Sequence, residues 1–175
     1  ILTRALPTLD QRKRLFFFDL ADPATRLREA LLAALRVMGR YQNFGQTTLG
    51  LNLSESQQAA AVLGVALKEI TPDSLQLAAT RIREKLDIGC VVIHPLNRAA
   101  CATREGAWWV DGPLCIKPAI TTGGGDHFNA GFATAQLLGL PPPCCLTTAV
   151  SVSGLYVRNA RSPTLGEVAA FLREW

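Results

Sequence analysis

The sequence predicts an α/β protein, a three-layer αβα sandwich around a mainly parallel central sheet. Short apolar runs alternate along the chain with longer segments that repeat leucine and alanine at helical spacing. This alternation is typical of parallel sheets that helices cover on both faces. The 175 residues, 49% of them hydrophobic and 18% charged, are enough for one buried core. We therefore expect residues 1–175 to form a single α/β domain.

The pattern begins with a strand, a turn and a helix. Arg14 to Leu20 (RLFFFDL) are largely apolar, which predicts a strand buried on both faces. Pro23 follows at a place suited to the first turn of a helix. The segment from Leu27 to Gly39 then repeats leucines at helical spacing and stops at a glycine.

A second strand is predicted over Gln46 to Asn52. Ser54 and Gln57 fit a capping box that would start a helix over residues 54–67. A further helix is expected over residues 71–87, with a proline early and basic residues near its end.

The remaining elements are predicted from turn signals and helical spacing. Ile88 to Ile93 indicate a third buried strand, and residues 100–119 contain two breaks, Glu105-Gly106 and Asp111-Gly112, that predict hairpins at a sheet edge. Three helices should follow: one over residues 126–140, one over residues 144–157 after three prolines, and one that Thr164 and Glu167 would cap.

Composition excludes several classes of protein. The net charge of +4 comes from scattered arginines rather than from a basic run interleaved with aromatics, so a nucleic-acid partner is not indicated. The five cysteines show no CxxC spacing, which favours reduced structural thiols over a zinc site or a disulfide framework. The chain shows neither a membrane span nor a signal peptide, and we expect a cytoplasmic location without membrane partners.

The stretch TTGGGDHFNAGF, Thr121 to Phe132, is the clearest candidate site. A tight turn with Asp126 as the N-cap would need only one glycine. Three consecutive glycines leave the backbone bare, so amides from Gly123 to Asp126 would converge on an anion at the positive end of a helix. The dinucleotide-binding signature fails because Phe128 stands where glycine or alanine is required, and the chain has no Walker loop. We favour a phosphoryl-transfer loop, with the mere turn as the alternative.

At these residues the chain resembles the ribokinase-like carbohydrate and nucleoside kinases, the PfkB family, whose C-terminal signature has a threonine pair followed by Gly-Ala-Gly-Asp. The resemblance implies that Asp126 is the catalytic base. It implies that the amides of Gly123, Gly124 and Gly125 form an anion hole, and that Thr122 lies in the nucleotide site.

The segment NLSE is a second match to this family. Asn52 and Glu55 fit its Asn-x-x-Glu motif, which implies that they help to bind nucleotide and organise Mg²⁺ through water. An ordinary strand end and helix start would explain the same two residues equally well.

The resemblance covers the C-terminal portion of the family, without its N-terminal sugar-binding part and lid. The turn HPLNRAA after the third strand lacks the family's glycines. Ile120 stands where many members have an aspartate associated with a monovalent cation, so dependence on such a cation is doubtful.

The resemblance implies ATP-dependent phosphorylation of a hydroxyl on a sugar, nucleoside or related metabolite, with Mg²⁺ as cofactor and a homodimer allowed for the full-length protein. We expect little or no activity from this portion alone. The alternatives are a non-catalytic nucleotide-binding or regulatory protein that keeps the fold, and a phosphate-binding α/β protein of other chemistry such as an oxidoreductase.

The sequence favours structural roles for several other side chains. His94 is interpreted as a core or loop residue and His127 as structural. Trp108 and Trp109 should alternate between the core and a partly exposed face, and Arg158 is assigned to an ordinary surface helix.

Overall fold

The computed structural model describes residues 1–8, 14–20 and 27–175. Pro23 and its predicted turn lie outside these ranges. Within them the chain forms the following strands and helices: β1 (Leu15–Asp19), α1 (Arg28–Arg40), β2 (Gln46–Asn52), α2 (Leu53–Leu63), α3 (Pro72–Leu86), β3 (Cys90–His94), β4 (Arg98–Ala102), β5 (Ala107–Asp111), α4 (Gly124–Leu137), α5 (Pro142–Asn159) and α6 (Leu165–Glu174).

The five strands form one mixed sheet in the order β1-β2-β3-β4-β5. β1 and β2 run parallel, with Phe17 opposite Thr48. The connections on either side of β4 are too short for a crossover, so the strands at this end of the sheet run antiparallel. The hairpin predicted at Glu105-Gly106 is present, and the Thr103 amide donates to the Gly106 carbonyl at 2.9 Å. The predicted α/β class is confirmed, and the antiparallel end of the sheet contains one of the two predicted edge hairpins.

The described residues group into two compact units, Ile1–Ile93 with Cys101–Ala107 and His94–Ala100 with Trp108–Trp175. In the first unit, Leu35 of α1, Leu49 of β2 and Leu75 of α3 are fully buried. In the second unit the core includes Phe132 on α4 and Leu146 on α5, which are likewise buried. The single domain expected from the sequence stays a prediction.

The boundaries of two predicted helices are corrected. Helix α2 begins at Leu53 with Asn52 as its N-cap, so the Ser54–Gln57 capping box is wrong. It ends at Leu63 because Gly64 adopts a left-handed conformation, φ 67°, that stops the helix. Helix α5 begins at Pro142, inside the proline run, since the first turn of a helix tolerates residues without an amide hydrogen.

Two predicted strands also differ. β1 lies at the end of the strand order, and its residues are half-buried or exposed instead of buried on both faces. The hairpin at Asp111-Gly112 is wrong, because β5 ends at Asp111 and no strand follows it in the described chain. The segment that follows β5 is held by Arg158 rather than by a partner strand. Arg158 donates to the carbonyls of Pro113 at 3.1 Å and Leu114 at 2.8 Å. Arg158 is therefore an internal anchor and not an ordinary surface residue.

The aromatic and thiol predictions are partly met. Trp108 and Trp109 are both half-buried, so neither is the fully buried core residue that was expected. All five cysteines are free: Cys90, Cys101 and Cys145 are buried, whereas Cys144 is exposed.

Candidate active site at the start of helix α4

The glycine stretch forms the turn into α4. Gly123 is the N-cap, with φ 86° and ψ −2°, a left-handed conformation that favours glycine. A Cβ at this position would lie 2.9 Å from the Tyr156 hydroxyl. Asp126 lies in the first turn of the helix and is not the N-cap that the simple-turn interpretation assigned to it.

The backbone amides of this turn divide into two groups. The Gly124 amide donates to the Thr121 carbonyl at 3.2 Å, and the His127 amide donates to the Gly123 carbonyl at 3.0 Å. Between them, the amides of Gly125 and Asp126 meet no acceptor within the described residues. Both residues are exposed. Two adjacent N–H groups are thus open at the positive end of a helix, a position that suits an anion. Of the amides predicted for the anion hole, that of Gly124 is already engaged, whereas that of Gly125 is open.

The Asp126 carboxylate lies beside these two amides in sequence and on the same exposed turn. It makes no hydrogen bond or ion pair with any residue that the structure describes. A solvated carboxylate that pairs with none of the described residues is available to accept a proton from a bound hydroxyl group.

Helix α5 supports the turn from behind. The Tyr156 hydroxyl donates to the Thr122 carbonyl at 3.0 Å, and the Ser153 hydroxyl donates to the Gly124 carbonyl at 2.9 Å. Neither residue was identified from the sequence, which assigned this part of α5 to an ordinary surface helix. Thr122, predicted in the nucleotide site, is held through its backbone.

His127 is enclosed by protein groups, as its structural interpretation requires. Its Nδ1 lies 2.8 Å from the Gly123 carbonyl oxygen and its Nε2 lies 2.9 Å from the Ser162 hydroxyl. The ring stacks on Tyr156 with centroids 3.5 Å apart and an angle of 10° between the planes. Both nitrogens and one face of the ring are therefore occupied.

His94, at the end of β3, lies beneath the same turn. Its ring stacks on Phe128 with centroids 4.4 Å apart, and its Cε1 lies 3.5 Å from the position that a Cβ of Gly125 would occupy. The buried Nε2 has no hydrogen-bond partner in the described structure. Burial lowers the pKa of His94 to about 4, against a smaller opposing effect of its own backbone hydrogen bond, so the ring is neutral near pH 7.

Asn52 and Glu55 lie in the other compact unit and cap α2 reciprocally. The Asn52 Oδ1 accepts from the Glu55 amide at 2.9 Å, and the Glu55 Oε2 accepts from the Asn52 amide at 2.8 Å. Asn52 and Glu55 therefore interact with each other as the cap of α2, which is the structural alternative considered for them.

These two side chains fit Mg²⁺ only through water. Each already accepts a backbone amide, so a water molecule would have to bridge either side chain to the metal. No group of three or more His, Cys, Asp or Glu side chains that could hold a metal occurs in the described ranges.

A family model for prokaryotic ketohexokinase matches residues 4–175. The chain belongs to the prokaryotic ketohexokinase family. It is 27% identical over 165 residues to a ketohexokinase of Haloferax volcanii, and the match covers 94% of this chain but 43% of that protein.

Solved structures confirm the ribokinase-like fold. A nucleoside kinase of Methanocaldococcus jannaschii, a member of the ribokinase family, superposes with a TM-score of 0.66 at 19% identity over 93% of this chain and 49% of that one. A ribokinase of Cryptococcus neoformans in complex with ADP gives a TM-score of 0.61 at 17% identity over 91% and 51%. This ketohexokinase-family chain thus spans about half the length of these relatives, and the predicted resemblance to a portion of the PfkB family is confirmed. None of its described helices has the length and apolar character needed to cross a membrane.

Proposed function

We propose that the protein transfers the γ-phosphoryl group of ATP to a hydroxyl group of a sugar, and that the sugar is a ketohexose. The observation that carries this proposal is the pair of open amides at Gly125 and Asp126 beside the Asp126 carboxylate, which has no partner among the residues that the structure describes. Family membership supports the sugar as acceptor, and the ADP complex of a ribokinase with the same fold supports the nucleotide.

In the proposed reaction, the acceptor oxygen attacks the γ-phosphorus and its proton passes to the Asp126 carboxylate. The bond between the γ-phosphorus and the oxygen that bridges it to the β-phosphate breaks, and ADP leaves with that electron pair. The Gly125 and Asp126 amides stabilise the negative charge on the moving phosphoryl oxygens.

Asn52 and Glu55 would orient water molecules of a bound Mg²⁺, which neutralises charge on the β- and γ-phosphates. Because the relatives are about twice as long, acceptor binding and exclusion of water are proposed to need more chain than these 175 residues. We therefore expect little or no sugar phosphorylation from these residues alone. We also propose that the protein is located in the cytoplasm.

The test of the mechanism is Asp126→Asn in the natural full-length protein. Removing the base should lower kcat by at least about a hundredfold. The dissociation constant of Mg·ADP, measured by calorimetry, should change little. Asp73→Asn is the matched control, because Asp73 is also an exposed aspartate in the first turn of a helix. Near-normal turnover in Asp126→Asn would overturn the assignment of the base.

A non-catalytic nucleotide-binding protein is the second candidate. The turn HPLNRAA favours it, since that turn lacks glycine and begins with the neutral His94. Calorimetric binding of Mg·ATP by the full-length protein, without turnover on a panel of ketohexoses, aldohexoses and nucleosides, would favour this candidate over the kinase.

A further inference from the structure

We propose that His127 is a positioning residue, which holds the glycine turn in its anion-binding conformation through the Gly123 carbonyl. The inference rests on the proposed phosphate-binding role of the turn, and extends it to a side chain that would not touch the phosphate itself.

The hydrogen bonds of the ring determine its tautomer. The partner of Nδ1 is the Gly123 carbonyl oxygen, 2.8 Å away, and a carbonyl oxygen only accepts. Nδ1 therefore carries the proton. In the neutral ring Nε2 has a lone pair, and it accepts the Ser162 hydroxyl at 2.9 Å. The ring is thus fixed at both nitrogens in one orientation.

The Gly123 carbonyl receives two donors from the same residue. The His127 amide donates to it at 3.0 Å and the ring Nδ1 at 2.8 Å. The peptide plane that carries this carbonyl also carries the Gly124 amide. That amide points in the opposite direction from the Gly123 carbonyl and donates to the Thr121 carbonyl. The imidazole therefore holds the peptide plane at the entry to α4.

This orientation matters because glycine restrains its own peptide planes weakly. Rotation of the plane between Gly123 and Gly124 would point a carbonyl oxygen towards the exposed side of the turn, where it would repel an anion. The second hydrogen bond from His127 opposes that rotation. The ring also stacks on Tyr156, whose hydroxyl holds the preceding carbonyl of Thr122 at 3.0 Å. Two consecutive carbonyls are therefore directed away from the open amides of Gly125 and Asp126.

Three substitutions separate positioning from packing. His127→Phe keeps the stacked ring and removes both hydrogen bonds, whereas His127→Asn restores a donor near the place of Nδ1. Ser162→Ala removes only the outer partner. We expect His127→Phe to weaken Mg·ADP binding to the 175-residue protein about tenfold and His127→Asn to recover most of that loss. Equal affinity for Mg·ADP in His127→Phe and the wild type would overturn the proposal.

Nuclear magnetic resonance tests the positioning without reference to nucleotide. The imidazole ¹⁵N shifts should show the Nδ1–H tautomer in the neutral ring, and Ser162→Ala should keep it. Exchange of the Gly124 amide hydrogen should be about tenfold faster in His127→Phe, because that amide is protected only while the turn is held. An Nε2–H tautomer or unchanged exchange would refute the inference. If the wild type binds no Mg·ADP but shows this tautomer and this exchange, the phosphate site fails and the positioning of the turn stands.

Discussion

Gly123 and Gly125 are two residues apart, yet the structure predicts opposite effects when each is replaced by alanine. At Gly123 the φ of 86° places alanine in the left-handed region, which costs about 1–2 kcal/mol. The new Cβ would lie 2.9 Å from the Tyr156 hydroxyl. Tyr156 must move and lose its hydrogen bond to Thr122, which removes about another 0.5–1.5 kcal/mol. Gly123→Ala should therefore destabilise the protein by about 1.5–3.5 kcal/mol.

Gly125→Ala is the matched control. Its Cβ would meet His94 Cε1 at 3.5 Å, an ordinary contact, and Gly125 has no positive φ. Alanine inside a helix is favoured over glycine by up to about 1 kcal/mol. Gly125→Ala should thus be neutral or stabilising.

Urea denaturation followed by circular dichroism measures both changes in the free energy of unfolding. We expect the free energies of unfolding of the two variants to differ by at least about 1.5 kcal/mol. If the variants agree within about 0.5 kcal/mol, a range typical of ordinary surface substitutions, the turn geometry described above is wrong.

Two further predictions concern His94 and Asn52. The pKa of His94 falls from 6.5 to about 4 on folding. As the pH drops, the unfolded chain therefore takes up this proton before the folded chain does. The free energy of unfolding should fall by on the order of 3 kcal/mol between pH 6.5 and pH 4. His94→Phe keeps the stack on Phe128 and should flatten this part of the pH–stability profile, and an equally steep profile would contradict the assignment. Asn52→Ala should lose the cap of α2, about 1 kcal/mol, whereas Asn52→Ser should keep it. If Asn52 also contributes to nucleotide binding, Asn52→Ser should weaken Mg·ADP binding without a loss of stability, and an unchanged dissociation constant would leave Asn52 with the capping role alone.

The fold class and the glycine turn were predictable because both depend on local pattern. Apolar runs, helical spacing and glycine usage are properties of neighbouring residues, and they placed most elements within a few positions of where the structure has them. The cap of Thr164 and Glu167 is confirmed for the same reason, since a capping box is contained in four consecutive residues.

The local sequence pattern did not identify the correct helix start where two candidate capping boxes overlapped. Asn52–Glu55 and Ser54–Gln57 both satisfy the spacing of a capping box. What decides between them is the point at which β2 ends, and that depends on pairing with its neighbours in the sheet. The half-burial of β1 has a similar cause, because the position of a strand within the sheet order is not contained in its own sequence.

The supporting groups of the candidate site were missed because they come from distant parts of the sequence. Ser153 and Tyr156 contact the turn only after α4 and α5 have packed together, and Ser162, which follows α5, contacts the His127 ring. Periodicity shows that α5 is a helix, but not which of its hydroxyl groups faces a carbonyl on α4.

The close packing of α4 against α5 has a mechanical consequence. A Cβ at Gly131 would lie 3.0 Å from the Ala149 Cα, so the two helix backbones nearly touch one turn beyond the site. With Ser153 and Tyr156 bonded to the turn at the other end of this contact, the amides that face solvent are carried on a stiff pair of helices. We expect such a pair to move little when a ligand binds. In the proposed phosphoryl transfer, any movement that brings donor and acceptor together is then expected from other elements, with the start of α4 as the fixed reference.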